Sequence, residues 1–169
     1  MNYDCCFTKD NNWFRYRVGA IILENDCVLF VKNTTDDFYY SVGGGVHIGE
    51  TAAEAIVREV FEETGLNYEI DHLCVIHENF FSQKEGNLKG LSCHEISLYY
   101  LMKSKNIKQI NSDSYNSFGD KESIHFLPLS NLDDYTVYPS FIKANLDKIK
   151  KGLLHIVTKN NLDEVISPL

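Results

Sequence analysis

The stretch GGVHIGETAAEAIVREVFEETGL, residues 44–66, decides how this chain is read. Its fixed points are Gly44, then Glu50 after five residues, Arg58-Glu59-Val60 after seven more, Glu62-Glu63, and Gly65-Leu66. Thr51-Ala52-Ala53-Glu54 has the form of a capping box and Gly65 that of a helix stop, so a helix is predicted over 51–64. At about 100° per residue, Ala53, Ile56, Val57, Val60 and Phe61 share one arc, and Arg58, Glu59, Glu62 and Glu63 the other. The first arc is expected to pack and the second to work.

Glu59, Glu62 and Glu63 stand at i, i+3 and i+4, so their carboxylates converge on one patch. Such a patch is either a solvated acidic face or a site for a hard divalent cation, which prefers oxygen ligands and relieves the repulsion. Upstream, Gly43, Gly44 and Gly45 let a main-chain carbonyl join the carboxylates and let a diphosphate approach without a side-chain clash. Glu50 can pair with Arg58, whose forked donors are suited to orienting carboxylates.

The whole pattern, Gly44-x5-Glu50-x7-Arg58-Glu59-Val60-x-Glu62-Glu63-x-Gly65-Leu66, resembles the complete signature of the Nudix hydrolases. The resemblance implies Mg²⁺- or Mn²⁺-dependent hydrolysis of a nucleoside diphosphate linked to another moiety. It also implies metal ligation by Glu59, Glu62 and Glu63 with the Gly43 carbonyl assisting, an orienting role for Arg58 and Glu50, and an αβα sandwich. Two positions depart from the pattern: Val42 stands where a proline is common, and His47 where an acid is frequent. His47 is then either a substrate contact or a solvated loop histidine.

Working outward, 18–23 and 27–32 read as two strands joined by the tight turn Glu24-Asn25-Asp26. Residues 38–40 form a short aromatic strand leading into the glycines. Two further strands are expected at 68–81 and 94–102 around a polar loop, 82–92. Residues 106–121 are polar and irregular, 123–128 a short strand, and a helix follows Tyr138-Pro139-Ser140 to about residue 151. Residues 153–169 are ambiguous, and the apolar run 153–157 suits either a homodimer contact or core. With no repeat or linker, one α/β (α+β) domain over 1–169 with a mixed sheet is expected.

The chain has 169 residues, enough for a sizeable core. Its net charge of −8 argues against a surface built to grip nucleic acid, and a small phosphate substrate would need bridging cations; that the substrate is of nucleotide type is what the resemblance implies. The five cysteines form no Cys-x-x-Cys pair and read as reduced fillers, which favours the cytosol. Neither a signal-peptide pattern nor an eighteen-residue apolar run occurs, and no membrane association is expected.

Hydrolysis also needs a carboxylate to take the proton of the attacking water. Within the box Glu59 or Glu62 could do so; outside it the candidates are Glu95, opening a strand after a loop, and Glu122, in what reads as a surface turn. For substrate, Gly44 and Gly45 offer backbone, Arg15, Arg17 and Lys32 offer cations, and Tyr39, Phe80 and Phe81 offer stacking rings or core. The competing reading is a nucleotide-sensing domain of the same fold that binds without cleaving, though such domains commonly lose box carboxylates and this chain retains them all.

Overall fold

The computed structural model describes residues 3–84, 86–110, 121–159 and 162–168, the last segment by its backbone. The irregular stretch expected at 106–121 lies outside the described residues from 111 to 120.

The chain begins with a hairpin the sequence did not announce, β1 (Cys6–Lys9) against β2 (Asn12–Glu24). Then follow β3 (Cys27–Asn33), β4 (Tyr39–Tyr40), helix α1 (Ala52–Thr64), β5 (Ile70–Ser82), β6 (Ser92–Met102) and β7 (Glu122–Pro128). Last come β8 (Val137–Tyr138), helix α2 (Phe141–Ile149), β9 (Leu154–Lys159) and β10 (Leu162–Pro168). The strands run in the order β10-β9-β5-β6-β2-β3-β4-β8, with β1 added to β2 and β7 to β3. The sheet is mixed, as expected, since β2–β6, β5–β9 and β4–β8 are parallel and the other pairs antiparallel.

The join between β2 and β3 shapes the molecule. Asn25 and Asp26 both take positive φ, as a tight hairpin turn demands. Yet the two strands pair only at Leu23↔Val28 and Glu24↔Cys27 and then diverge. The freed edge of β2 is taken up by the glycine loop: Val18 N–H donates to the Gly44 carbonyl (2.9 Å), Ala20 N–H to Val42 (2.8 Å), and Val46 N–H to Tyr16 (3.1 Å).

Alternation along β2 supplies both cores. Val18, Ala20 and Ile22 face α1, where they meet Ala55, Ile56 and Val60. Ile21 faces the other way, among Phe30, Tyr99, Phe141, Ile142 and Ile149 of the α2 side. Fully burying such a side chain is worth roughly 1.5–3 kcal/mol. A helix on each face of one mixed sheet is the expected αβα sandwich.

Several expectations need correction. α1 turns Ala52, Ala55, Ile56, Val60 and Thr64 inward, while Ala53 and Phe61 are exposed and Val57 is half-buried. The small residues Ala52 and Ala55 let the helix sit close to the sheet. Its rotation brings Glu59 and Glu63 onto the flank of the packed face. Where residues 153–169 read ambiguously, 154–159 and 162–168 form β9 and β10, and Leu154 and Ile156 lie in the core, one of the two alternatives. Glu122 starts β7 opposite Asn33 and is buried, so it is no surface turn.

Candidate active site

The glycine loop and α1 meet where β2 leaves β3. Gly43 has φ of +141°, and a Cβ there would lie 2.2 Å from the Val18 carbonyl oxygen, so only glycine fits. Its N–H donates to Glu63 Oε1 at 2.9 Å. A Cβ on Gly44 would stand 2.4 Å from Glu59 Oε1, and the Gly45 carbonyl accepts from Arg58 Nη2 at 3.0 Å. Each glycine of the loop thus meets one charged member of the helix.

Arg58 is the hub. Its Nε and Nη2 donate to the two oxygens of Glu50 (2.8 and 2.9 Å), and Nη1 donates to Glu59 Oε1 (2.7 Å) and Glu62 Oε2 (3.2 Å). This fork, together with the His47 N–H bond at 3.0 Å, holds the Glu50 carboxyl down to about 2. The same carboxylates keep Arg58 above the ordinary arginine range.

Glu59 and Glu63 are pushed the other way. Burial raises both, and for Glu63 the neighbouring negative charges of Glu122 and Glu59 carry it well above the usual carboxylate range despite its Gly43 bond. Glu122 is itself fixed by the Tyr40 hydroxyl, which donates to Oε1 at 2.7 Å. Behind them lies Arg17. Its burial favours the neutral form, but the negative charges of Glu95, Glu63 and Glu59 outweigh that and carry it above the ordinary arginine range.

A cleft of about 330 Å³ opens beside this cluster, lined among others by Arg17, Tyr40, Asn79, Glu95, Tyr138 and Thr158. Glu95 is buried at its edge and accepts from Ser97 Oγ at 3.2 Å. The structure therefore brings together Gly43, Gly44, Gly45, Glu50, Arg58, Glu59, Glu62 and Glu63, with Arg17, Glu95 and Glu122 beside them.

Other expected contacts are elsewhere. Tyr39 packs into the α2 side against His125 and Tyr135, with Lys32 Nζ 5.1 Å from its ring, so neither reaches the cleft. Phe80 lies on the opposite face of β5 from Asn79, stacked on His94 at 4.3 Å. In each case the pleat points the neighbour, Tyr40 or Asn79, into the cleft. Those two were missed, and a strict period of two carried back from the cleft residue Arg17 would have found Tyr40's side of the problem only once the pairing of β4 was known. His47 rests between Asp4 (3.7 Å) and Glu50 (3.6 Å), which accounts for it without a substrate.

Among the described residues, no three His, Cys, Asp or Glu side chains already converge on one point as ligands would; Glu59 and Glu62 are turned to Arg58. The donor set nevertheless fits a hard divalent cation. It is all oxygen, it includes two half-buried carboxylates that gain from a compensating charge, and the missing Cβ of Gly44 leaves room at Glu59.

A NUDIX domain family model matches residues 13–144. An RNA pyrophosphohydrolase of Blochmanniella floridana is 40% identical over 60 residues, covering 35% of this chain and 38% of that protein. An ADP-ribose pyrophosphatase of Methanocaldococcus jannaschii is 32% identical over 88 residues, 50% of this chain and 48% of that protein. The chain thus matches less than half the length of these curated relatives. Among solved structures, a MutT protein from Methanosarcina mazei Go1 superposes with a TM-score of 0.61 at 14% identity, over 85% of this chain and 97% of that one. A MutT protein from Bacillus halodurans gives 0.63 at 15%, over 90% and 95%. At such identities the likeness is one of fold.

Proposed function

Because the chain belongs to the NUDIX family, we propose that it hydrolyses the diphosphate bond of a nucleoside diphosphate linked to a further moiety. The observation that carries this reading is the Arg58 hub, which gathers Glu50, Glu59 and Glu62 against a glycine loop whose Gly43 binds Glu63.

In this reading Glu59, Glu62, Glu63 and the Gly43 carbonyl hold Mg²⁺ or Mn²⁺. The ion, when bound, polarises the phosphoryl oxygens and acidifies water. Arg58 and Glu50 keep the carboxylates in place, and the backbone at Gly44 and Gly45 leaves space for the diphosphate. Arg17 offsets negative charge gathering on the phosphoryl oxygens. Water oxygen attacks phosphorus, the bridging P–O bond breaks, the leaving phosphate takes that bond's electron pair, and the water's proton passes to Glu95 in the cleft. We take residues 1–169 as one domain acting in the cytosol on small nucleotides.

The test is phosphate or nucleotide release from nucleoside triphosphates, ADP-ribose and 5′-triphosphorylated RNA, with Mg²⁺ or Mn²⁺ and after chelation. The last two substrates enter the panel because of the relatives' names. Metal-dependent turnover of one substrate class is expected, lost in Glu62→Gln. Binding of nucleotides without turnover of any would instead favour a sensing domain.

A further inference from the structure

A second cavity, about 700 Å³, adjoins the first: both are lined by Glu95. It runs from Arg15 and Asp4 to Trp13 and Phe81, beneath the loop that carries Gln83 and Asn87. The register of the sheet explains the alignment. Arg15 pairs with Glu95 across β2–β6, Trp13 with Cys93 across the same strands, and Phe81 with Cys93 across β5–β6. Trp13 and Phe81 thus flank one position of β6, their rings edge to face with centroids 6.1 Å apart.

Along β2 the cleft side therefore reads Arg17, Arg15, Trp13, two cations and then a large ring. Arg17 and Trp13 are four steps apart along the strand, about 13 Å. That suffices to put a sugar between a diphosphate at one end and a ring at the other. The far end has an aromatic wall and two exposed amides, Gln83 and Asn87, which can both donate and accept. An aromatic face with hydrogen-bonding groups at its margin suits a flat heterocycle with polar edges.

We propose that this groove binds the nucleobase of the substrate, with Trp13 and Phe81 as its ring contacts and Gln83 and Asn87 facing its edges. The assignment rests on the carboxylate cluster being the diphosphate site, since that fixes which end takes phosphate. It moves base recognition from Tyr39 and Phe80, which face elsewhere, to the first half of β2.

Trp13 is the only tryptophan in the chain, so tryptophan emission reports on its surroundings, which are this groove and the neighbouring cavity lined by Phe14, Phe80 and His94. The full chain with Mg²⁺ is titrated with the non-hydrolysable α,β-methylene analogues of ADP, GDP, CDP and UDP, and with methylenediphosphonate, which has no base. Affinities are read by calorimetry. At least one nucleotide analogue should change Trp13 emission saturably, whereas methylenediphosphonate should bind without doing so. Phe81→Ala should weaken that nucleotide about tenfold or more, as loss of a base stack does, and leave methylenediphosphonate unchanged; Phe81→Leu, which keeps the bulk, should show the same split. Nucleotide binding that leaves Trp13 emission unaltered, or that survives both Phe81 variants, overturns the groove assignment while sparing the diphosphate site. Failure of methylenediphosphonate to bind strikes at the diphosphate site itself, and failure of every ligand overturns both.

Discussion

Arg58 places three carboxylates and one carbonyl around a single guanidinium, which is more than a surface arginine ordinarily does. Arg58→Lys keeps the charge but loses the fork. It is expected to lower turnover about 10- to 100-fold, as loss of an orienting partner does, with circular dichroism unchanged. Gly43→Ala forces a side chain into left-handed backbone and against the Val18 carbonyl. The backbone conformation alone costs roughly 1–3 kcal/mol, measurable by urea unfolding. Glu50 gives a pH test. Its carboxyl is held at about 2, below the roughly 4.3 of an unfolded glutamate, so the folded state favours ionisation. That stability is complete above the unfolded value and lost as pH falls towards the folded one. The advantage of wild type over Glu50→Gln, measured by urea unfolding, should therefore be full at pH 7 and shrink between about pH 5 and 2. The glutamates and Arg58 were legible in the sequence because helical spacing alone brings them together. Tyr40 was not, because choosing it over Tyr39 requires knowing which face of β4 meets the cleft.

Helix α1 shows how far a local pattern reaches. Its ends follow from residues within one turn: Thr51 and Glu54 form the reciprocal capping box, and Gly65 takes φ of 71°. Thr51→Ala should cost about 1 kcal/mol, seen as a fall in thermal midpoint of about 2–4 °C for a chain of this size. Its rotation does not follow from its own residues. The apolar arc drawn through Ala53, Val57 and Phe61 points partly to solvent, because contact with β2 favours the smaller Ala52 and Ala55, and because Gly43 and Gly44 receive Glu63 and Glu59. The strands show the same limit. The hairpin at Asn25-Asp26 is written locally, whereas β9 acquires its place only by pairing with β5, some eighty residues earlier, and β1 by pairing with an unexpected extension of β2.

The opening between β2 and β3, filled by the glycine loop and backed by α1, places buried acids at the mouth of a cleft. Metal-free protein bears the cost of Glu63, a buried carboxyl beside Glu59 and Glu122. Glu63→Gln should therefore raise the thermal midpoint of chelated protein, and it should abolish the rise with Mn²⁺ that mass action predicts for wild type. The measurement that bears most directly on the function is nucleotide or phosphate release from the substrate panel, comparing wild type with Glu63→Gln, each with Mn²⁺ and after chelation. Turnover by wild type only with metal, falling more than about a hundredfold in Glu63→Gln because metal polarisation is worth several kcal/mol, is the predicted result. Turnover that persists after chelation, or that Glu63→Gln leaves intact, would contradict it.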